Sequence, residues 1–125
     1  MTMNKREVWV KGEAAARDYL RAKGYTILEE NYAGQIGEID IIAKDGETIV
    51  FVEVKARENT DFGYPIEAVT PQKVRKICLT AQQYLVHHRL LGKDVRFDVV
   101  AVLRGEIEHV ESAFTLADAA KYAKY

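Results

Sequence analysis

The stretch from Gly37 to Lys55 constrains this chain more than any other. Two β-rich runs, residues 36–43 and 47–55, meet around Asp45-Gly46. An Asp-Gly pair between alternating apolar runs is a strong hairpin signal. If these two residues form the turn, Lys44 faces Glu47, Ile39 faces Val52 and Glu38 faces Glu53. A four-residue loop would set Asp40 opposite Glu53 and leave the faces unchanged. In either register Ile39, Ile41, Val50, Val52 and Val54 cover one face with aliphatic groups, which the pattern assigns to the core. Glu38, Asp40, Glu53 and Lys55 project from the other face. A slip by one residue would drive carboxylates into the core, so the apolar pattern fixes the faces.

Like charges at cross-strand distance repel, and burial raises their pKa values. A hard divalent cation resolves the conflict. Mg²⁺, or Mn²⁺ in its place, takes oxygen ligands, often one or two carboxylates with waters and phosphate oxygens. Asp40 and Glu53 are the expected ligands, and a backbone carbonyl near Val54 could join them. Lys55, two residues past Glu53 on the same face, could hold an attacking water or stabilise charge developing on a phosphate. The competing reading is an exposed hairpin face of alternating acid and base, with Glu53 paired to Lys55.

The flanking segments alternate helix and strand. Residues 5–22 predict a first helix with Val8, Gly12, Ala15, Ala16, Tyr19 and Leu20 on one side, and Gly24 just past its end. Residues 25–30 read as a strand and 31–37 as a polar turn. A loop over 57–70 holds Gly63 and Pro65. Thr70 then caps a long helix with Pro71 at its first position, ended by Gly92. Its expected buried side is Val74, Ile77, Cys78, Ala81, Tyr84, Leu85 and Leu91. Residues 95–103 form an apolar, central strand. Residues 106–111 form an edge strand and 115–123 a short helix. The order α-β-β-β-α-β-β-α, with an antiparallel hairpin and a strand–helix–strand crossover, gives an α/β fold: a mixed sheet flanked by helices. Asp98 interrupts the apolar strand and requires a partner, such as an arginine, if buried.

A chain of 125 residues fits a single domain, 1–125, with enough core to need no staples. The longest apolar runs are far too short to span a bilayer. No leader-like segment opens the chain, and the lone Cys78 suits a reducing compartment, so a cytoplasmic protein without membrane contact is expected. One serine and no Gly-x-Ser-x-Gly make a serine hydrolase improbable, and no phosphate-binding glycine loop is present. The net charge of -1 conceals segregation: residues 1–25 carry six bases and three acids, 26–53 one base and seven acids, and 71–93 five bases and no acid. Lys73, Lys76 and Gln83 fall along one side of the long helix, and Arg57 lies just past Lys55. Such donors suit a nucleic-acid backbone, although a solvated helix face has the same composition.

The Ile39-Asp40, spacer, Glu53-Val54-Lys55 pattern resembles the PD-(D/E)xK nuclease signature, with Ile39 where that signature has proline. The chain is more closely similar to a bacterial family of small YraN-type proteins. The matching pieces are Gly12-Glu13-Ala14-Ala15, Asn31-Tyr32, Gly37-Glu38-Ile39-Asp40, Phe51-Val52-Glu53-Val54-Lys55-Ala56-Arg57, Gly63 with Pro65, Glu67-Ala68-Val69, and Arg96-Phe97-Asp98-Val99-Val100. Ala33 stands where that family commonly has an arginine after Asn-Tyr. The resemblance implies the restriction-endonuclease-like core, αβββαβ. It also implies that Glu13 joins Asp40, Glu53 and Lys55 at the site and shares the metal with Asp40 and Glu53. The expected function is a Mg²⁺-dependent endonuclease acting on DNA, branched or structured, with Arg57, Lys73 and Lys76 as phosphate contacts. A resolvase-like role would require a homodimer. The alternative is a catalytically silent nucleic-acid-binding module, or an interaction protein on the same scaffold.

Overall fold

The computed structural model describes residues 3–59, 61 and 69–121. Helix α1 spans Lys5–Ala22, as the periodicity predicts. The Asn4 side chain caps it by accepting from the Glu7 amide at 2.8 Å. The chain leaves through Gly24 at φ 96°, a left-handed conformation that glycine adopts without steric cost. There follow β1 (Thr26–Ala33), β2 (Glu38–Asp45), β3 (Thr48–Arg57), α2 (Pro71–His87), β4 (Val95–Leu103), β5 (Glu106–Phe114) and α3 (Leu116–Lys121). The Thr70 hydroxyl caps α2 by accepting from the Lys73 amide, and Pro71 takes the first helical position, where a missing N–H costs nothing. Most of the expected loop over 57–70, and the end of the last helix toward 123, lie outside the described residues.

The sheet order is β1-β2-β3-β4-β5. β3 and β4 run parallel and the other neighbours antiparallel. This mixed, helix-flanked α/β sheet agrees with the restriction-endonuclease-like order. β3 and β4 are apolar along most of their length because both faces of the sheet are covered. On the α1 side Ala16 and Leu20 pack against Ile41, Val50, Val52, Val54 and Val100. On the α2 side Ile77, Tyr84 and Leu85 pack against Ile42, Phe51, Phe97 and Val99. Phe51 anchors that side, stacked on Phe97 at 5.4 Å and edge-on to Tyr84 at 5.9 Å.

Four expectations require correction. The hairpin turn is Gly46-Glu47, because Asp45 pairs with Thr48; Gly46, at φ 60°, supplies the positive φ that a type II′ turn requires at its first central position. The register is therefore the one that leads Asp40 toward Glu53. Ile39 does not share a face with Ile41. It joins the α2-side cluster, and Ile41 the α1-side cluster. The partner strand explains this. Asn31, at φ 54°, continues β1 rather than opening a turn, and it separates Glu30, which pairs with Arg17 of α1, from Tyr32, which packs on Tyr84 of α2. The sheet therefore has no bare face for a site. Finally, the chain leaves α2 at His88 and Arg89 (φ 55°), before Gly92, so Leu91 lies beyond the helix and is 68% exposed.

α1 approaches β3 closely at Gly12, where a β-carbon would overlap that of Ala56. This close packing holds the next residue, Glu13, against the sheet. Gly12→Val should cost about 1–3 kcal/mol by overpacking. Denaturant unfolding measures the loss, and adding Ala56→Gly should restore part of it.

Candidate functional site

The site forms where β2 and β3 part. Their paired register reaches Ile41↔Val52. One residue farther on, Asp40 turns its side chain into the gap, and its Oδ2 accepts from the Val54 amide at 2.8 Å. A side chain thus satisfies a β3 backbone donor that a ladder bond would otherwise take. The strands are held together without pairing, and a cleft opens. Glu53 and Lys55 project from β3 beside it, toward the carboxyl end of the parallel β3–β4 pair, where open α/β sheets commonly bind their ligands.

The charges are buried. Glu13, Asp40 and Glu53 are 6%, 9% and 4% exposed. Glu53 Oε1 lies 3.4 Å from Lys55 Nζ and 3.5 Å from Lys73 Nζ. Lys73 comes from the first turn of α2, so the crossover helix delivers a second ammonium to the same carboxylate. Among the described residues Asp40 has no such partner at hydrogen-bond distance. Burial, and then the charge of Glu53, push its pKa up to about 7, opposed by the Val54 hydrogen bond and by Lys73. Burial also raises Glu13, with Glu30 adding to the effect and Asn31 opposing it. Glu13 Oε1 is buried with no hydrogen-bond partner among the described residues. A buried carboxylate oxygen without a donor is costly; among the described residues Glu29 Oε2 is the other such atom.

The structure brings Glu13, Asp40, Glu53 and Lys55 into one electrostatically coupled group. It also adds Lys73, which the sequence assigned to a nucleic-acid track. The signal for Lys73 was its place in the first turn of the helix that returns the chain from β3. Other candidates disperse. Arg57 lines a groove beside α1, and Lys76 stands next to Gly37 in the β1–β2 connection. Gln83, aligned with Lys73 and Lys76 in the sequence, accepts from the Gln35 amide at 3.2 Å and so fastens that connection to α2. Glu38 is exposed at the start of β2.

The residues fit a hard divalent cation by their donor chemistry: three buried carboxylates, one oxygen without a partner among the described residues, and two carboxyls, Asp40 and Glu13, whose pKa values are raised by burial and then by neighbouring acids. Their ligand atoms do not yet converge. Among the described residues, the one group of such side chains whose ligand atoms all lie within 4.8 Å of one another is Asp98, His109 and Glu111. That trio is already compensated. Asp98 is fully buried and accepts from Arg96 Nε at 2.9 Å, Arg96 Nη2 at 3.1 Å and the Ser112 amide at 3.1 Å. His109 Nε2 lies 2.7 Å from its Oδ2, and His109 Nδ1 lies 3.1 Å from Lys23 Nζ. Glu111 accepts from the Tyr25 hydroxyl. With cations already on the acids, this cluster ties β4 to β5 and α1. It also meets the requirement that a charge in the apolar strand find an arginine. Asp98→Ala should cost about 3–5 kcal/mol, because it removes the buried acceptor shared by Arg96 and His109; urea unfolding reads this directly.

A split-strand carboxylate–lysine site on a helix-flanked mixed sheet defines a restriction-endonuclease-like α/β protein. The profile described as "Uncharacterised protein family UPF0102" matches residues 12–102. A UPF0102 protein of Persephonella marina is 49% identical over 111 residues, covering 86% of this chain and 96% of its own. One from Clostridioides difficile is 47% identical over 114 residues, covering 90% of this chain and all of its own. One from Geotalea daltonii is 49% identical over 111 residues, covering 85% and 87%. The chain belongs to the UPF0102 family, the YraN-type family. No helix among the described residues is long and apolar enough to cross a membrane.

The Asp40 pKa predicts a pH dependence. Its folded value, about 7, lies above the ordinary carboxylate value, so the native state binds this proton more tightly than the unfolded chain. Its contribution to stability is therefore present at low pH, is lost as pH rises between about 4 and 7, and is level above that. Melting curves in EDTA across this range should show the decline in the wild type and a flatter profile in Asp40→Asn.

Proposed function

We propose that this protein is a metal-dependent phosphodiester hydrolase, an endonuclease acting on branched or otherwise structured DNA, working in the reducing cytoplasm. The observation that carries the reading is the buried group Glu13, Asp40 and Glu53 with Lys55 at the split between β2 and β3. Asp40, Glu53 and Glu13 would hold Mg²⁺ or Mn²⁺. When bound, such an ion neutralises charge on a phosphate and lowers the pKa of water.

The protein's own groups supply the rest. Glu53 and Lys55 leave the same face of β3, so the ammonium is fixed beside the carboxylates rather than swinging free. From there it can orient a water toward phosphorus and stabilise the charge that develops on the phosphoryl oxygens. Lys73, paired with Glu53 in the absence of substrate, would be released when that carboxylate turns to the cation. Its ammonium would then meet a substrate phosphate. The acidic cluster repels DNA, so productive binding should require the cation. Asp40, protonated at mildly acidic pH, would lose its proton as the ion enters.

The rival reading, a silent binding module, draws support from the two lysines that already compensate Glu53. Activity separates the two. Flap, junction, single-stranded and duplex substrates are incubated with the protein under Mg²⁺ and Mn²⁺, with Glu53→Ala as the control against contaminating nucleases. Lys55→Ala should lower cleavage by about 100-fold or more while leaving the melting temperature near wild type. Unchanged cleavage in that variant refutes the assignment of Lys55. Mg²⁺ should also raise the melting temperature of the wild type by mass action, and not that of Asp40→Asn.

A further inference from the structure

Beside the site lies a groove that the proposed hydrolysis does not use. It has a volume of about 440 Å³ and runs between α1 and the ends of β3 and β4. One of its walls continues from the site: Gly12 lines it and Glu13 follows in α1. Ala56 lines it from β3, on the α1 face of the sheet, the face opposite Lys55. The floor is apolar, with Met3, Val8 and Val102 among its residues. Its charged residues are Lys11, Arg57 and Arg104 against the single acid Glu58. Among the described residues none of the three cations has a side-chain hydrogen bond or ion pair.

Arg104 is unusual in a second respect. It shares the β4–β5 turn with Gly105, and both have positive φ, at 49° and 82°. A type I′ turn of this kind favours Asn, Asp or Gly at its first central position. An arginine there is disfavoured by its backbone and gains no partner from the fold. Its charge is nonetheless carried to the rim of the groove.

We propose that this groove binds an unpaired nucleic-acid strand leaving the scissile position, with Lys11, Arg57 and Arg104 on its phosphates and the bases against the apolar floor. The proposal rests on the hydrolase reading for the identity of the ligand. A single strand is preferred over duplex because only unstacked bases can offer apolar faces to the floor. Cations alone would serve either form equally. Substrates with a single-stranded arm next to a junction would then be the favoured class.

The test is binding in EDTA, so that it does not depend on cleavage. Fluorescence anisotropy measures the affinity of fluorescein-labelled oligothymidylate and of a blunt duplex for wild type and for the Lys11→Ala/Arg104→Ala variant. Both residues are exposed, and melting curves verify that the variant folds. The single strand should bind the variant about 10-fold more weakly, with a salt dependence shallower by about 1.4 in the log–log slope, while the duplex changes less than about 2-fold. Unchanged single-strand affinity overturns the proposal, and so does an equal loss on both ligands. The expected pattern together with no cleavage under any metal supports the groove and removes the hydrolase reading.

Discussion

The parallel pairing of β3 with β4 underlies everything else in this molecule. Parallel strands need a crossover, and α2 provides it from Pro71 to His87. The crossover covers one face of the sheet and α1 covers the other, so both strands are buried on both sides. Phe51, Val52, Val99 and Val100 can exist only in such a double layer. The same geometry brings the first turn of α2, with Lys73, back to the level of Glu53. Burial of the strand pair and assembly of the charged cleft are thus one event.

Two buried acid clusters show how differently the fold treats carboxylates. Asp98 receives two donors from Arg96, one from the Ser112 amide and the ring of His109. His109 and the Ser112 amide tie β4 to β5, Arg96 supplies the countercharge from within β4, and the lone pairs of Asp98 are well used. At the other cluster, among the described residues, Asp40 has one backbone donor, and Glu13 has an oxygen with none. A protein that needed only stability would replace such acids with apolar groups at little cost. Incomplete satisfaction at one cluster, beside full satisfaction at another in the same small sheet, sets the two apart and is what the proposed metal would relieve.

Much of the architecture was legible from local rules. α1 and β4 fall on the expected boundaries because amphipathic period and apolar run length are local properties. The N-cap and proline of α2 behaved likewise. The turn at Gly46-Glu47 was one residue from the expected pair, because Asp-Gly can place its glycine at either central position. The longer miss was Ile39. Its face was inferred from strict alternation, yet the left-handed Asn31 in the neighbouring strand rotates β1 and β2 together at that point. A backbone φ in one strand cannot be read from the side-chain pattern of another.

The sequence by itself determined that Glu53 and Lys55 share a face of β3, which follows from strand parity and so depends on neighbours in the chain, and it named Asp40 as their candidate partner across the hairpin. It also determined the mixed α/β class, because element order limits the topologies a chain can take. Tertiary structure alone decided that both sheet faces are buried and that β2 and β3 separate at Asp40. It alone brought Lys73 to Glu53 and parted Arg57 from Lys73 and Lys76. These depend on where elements distant in sequence come to rest, and packing between helix and sheet, not residue spacing, sets those distances.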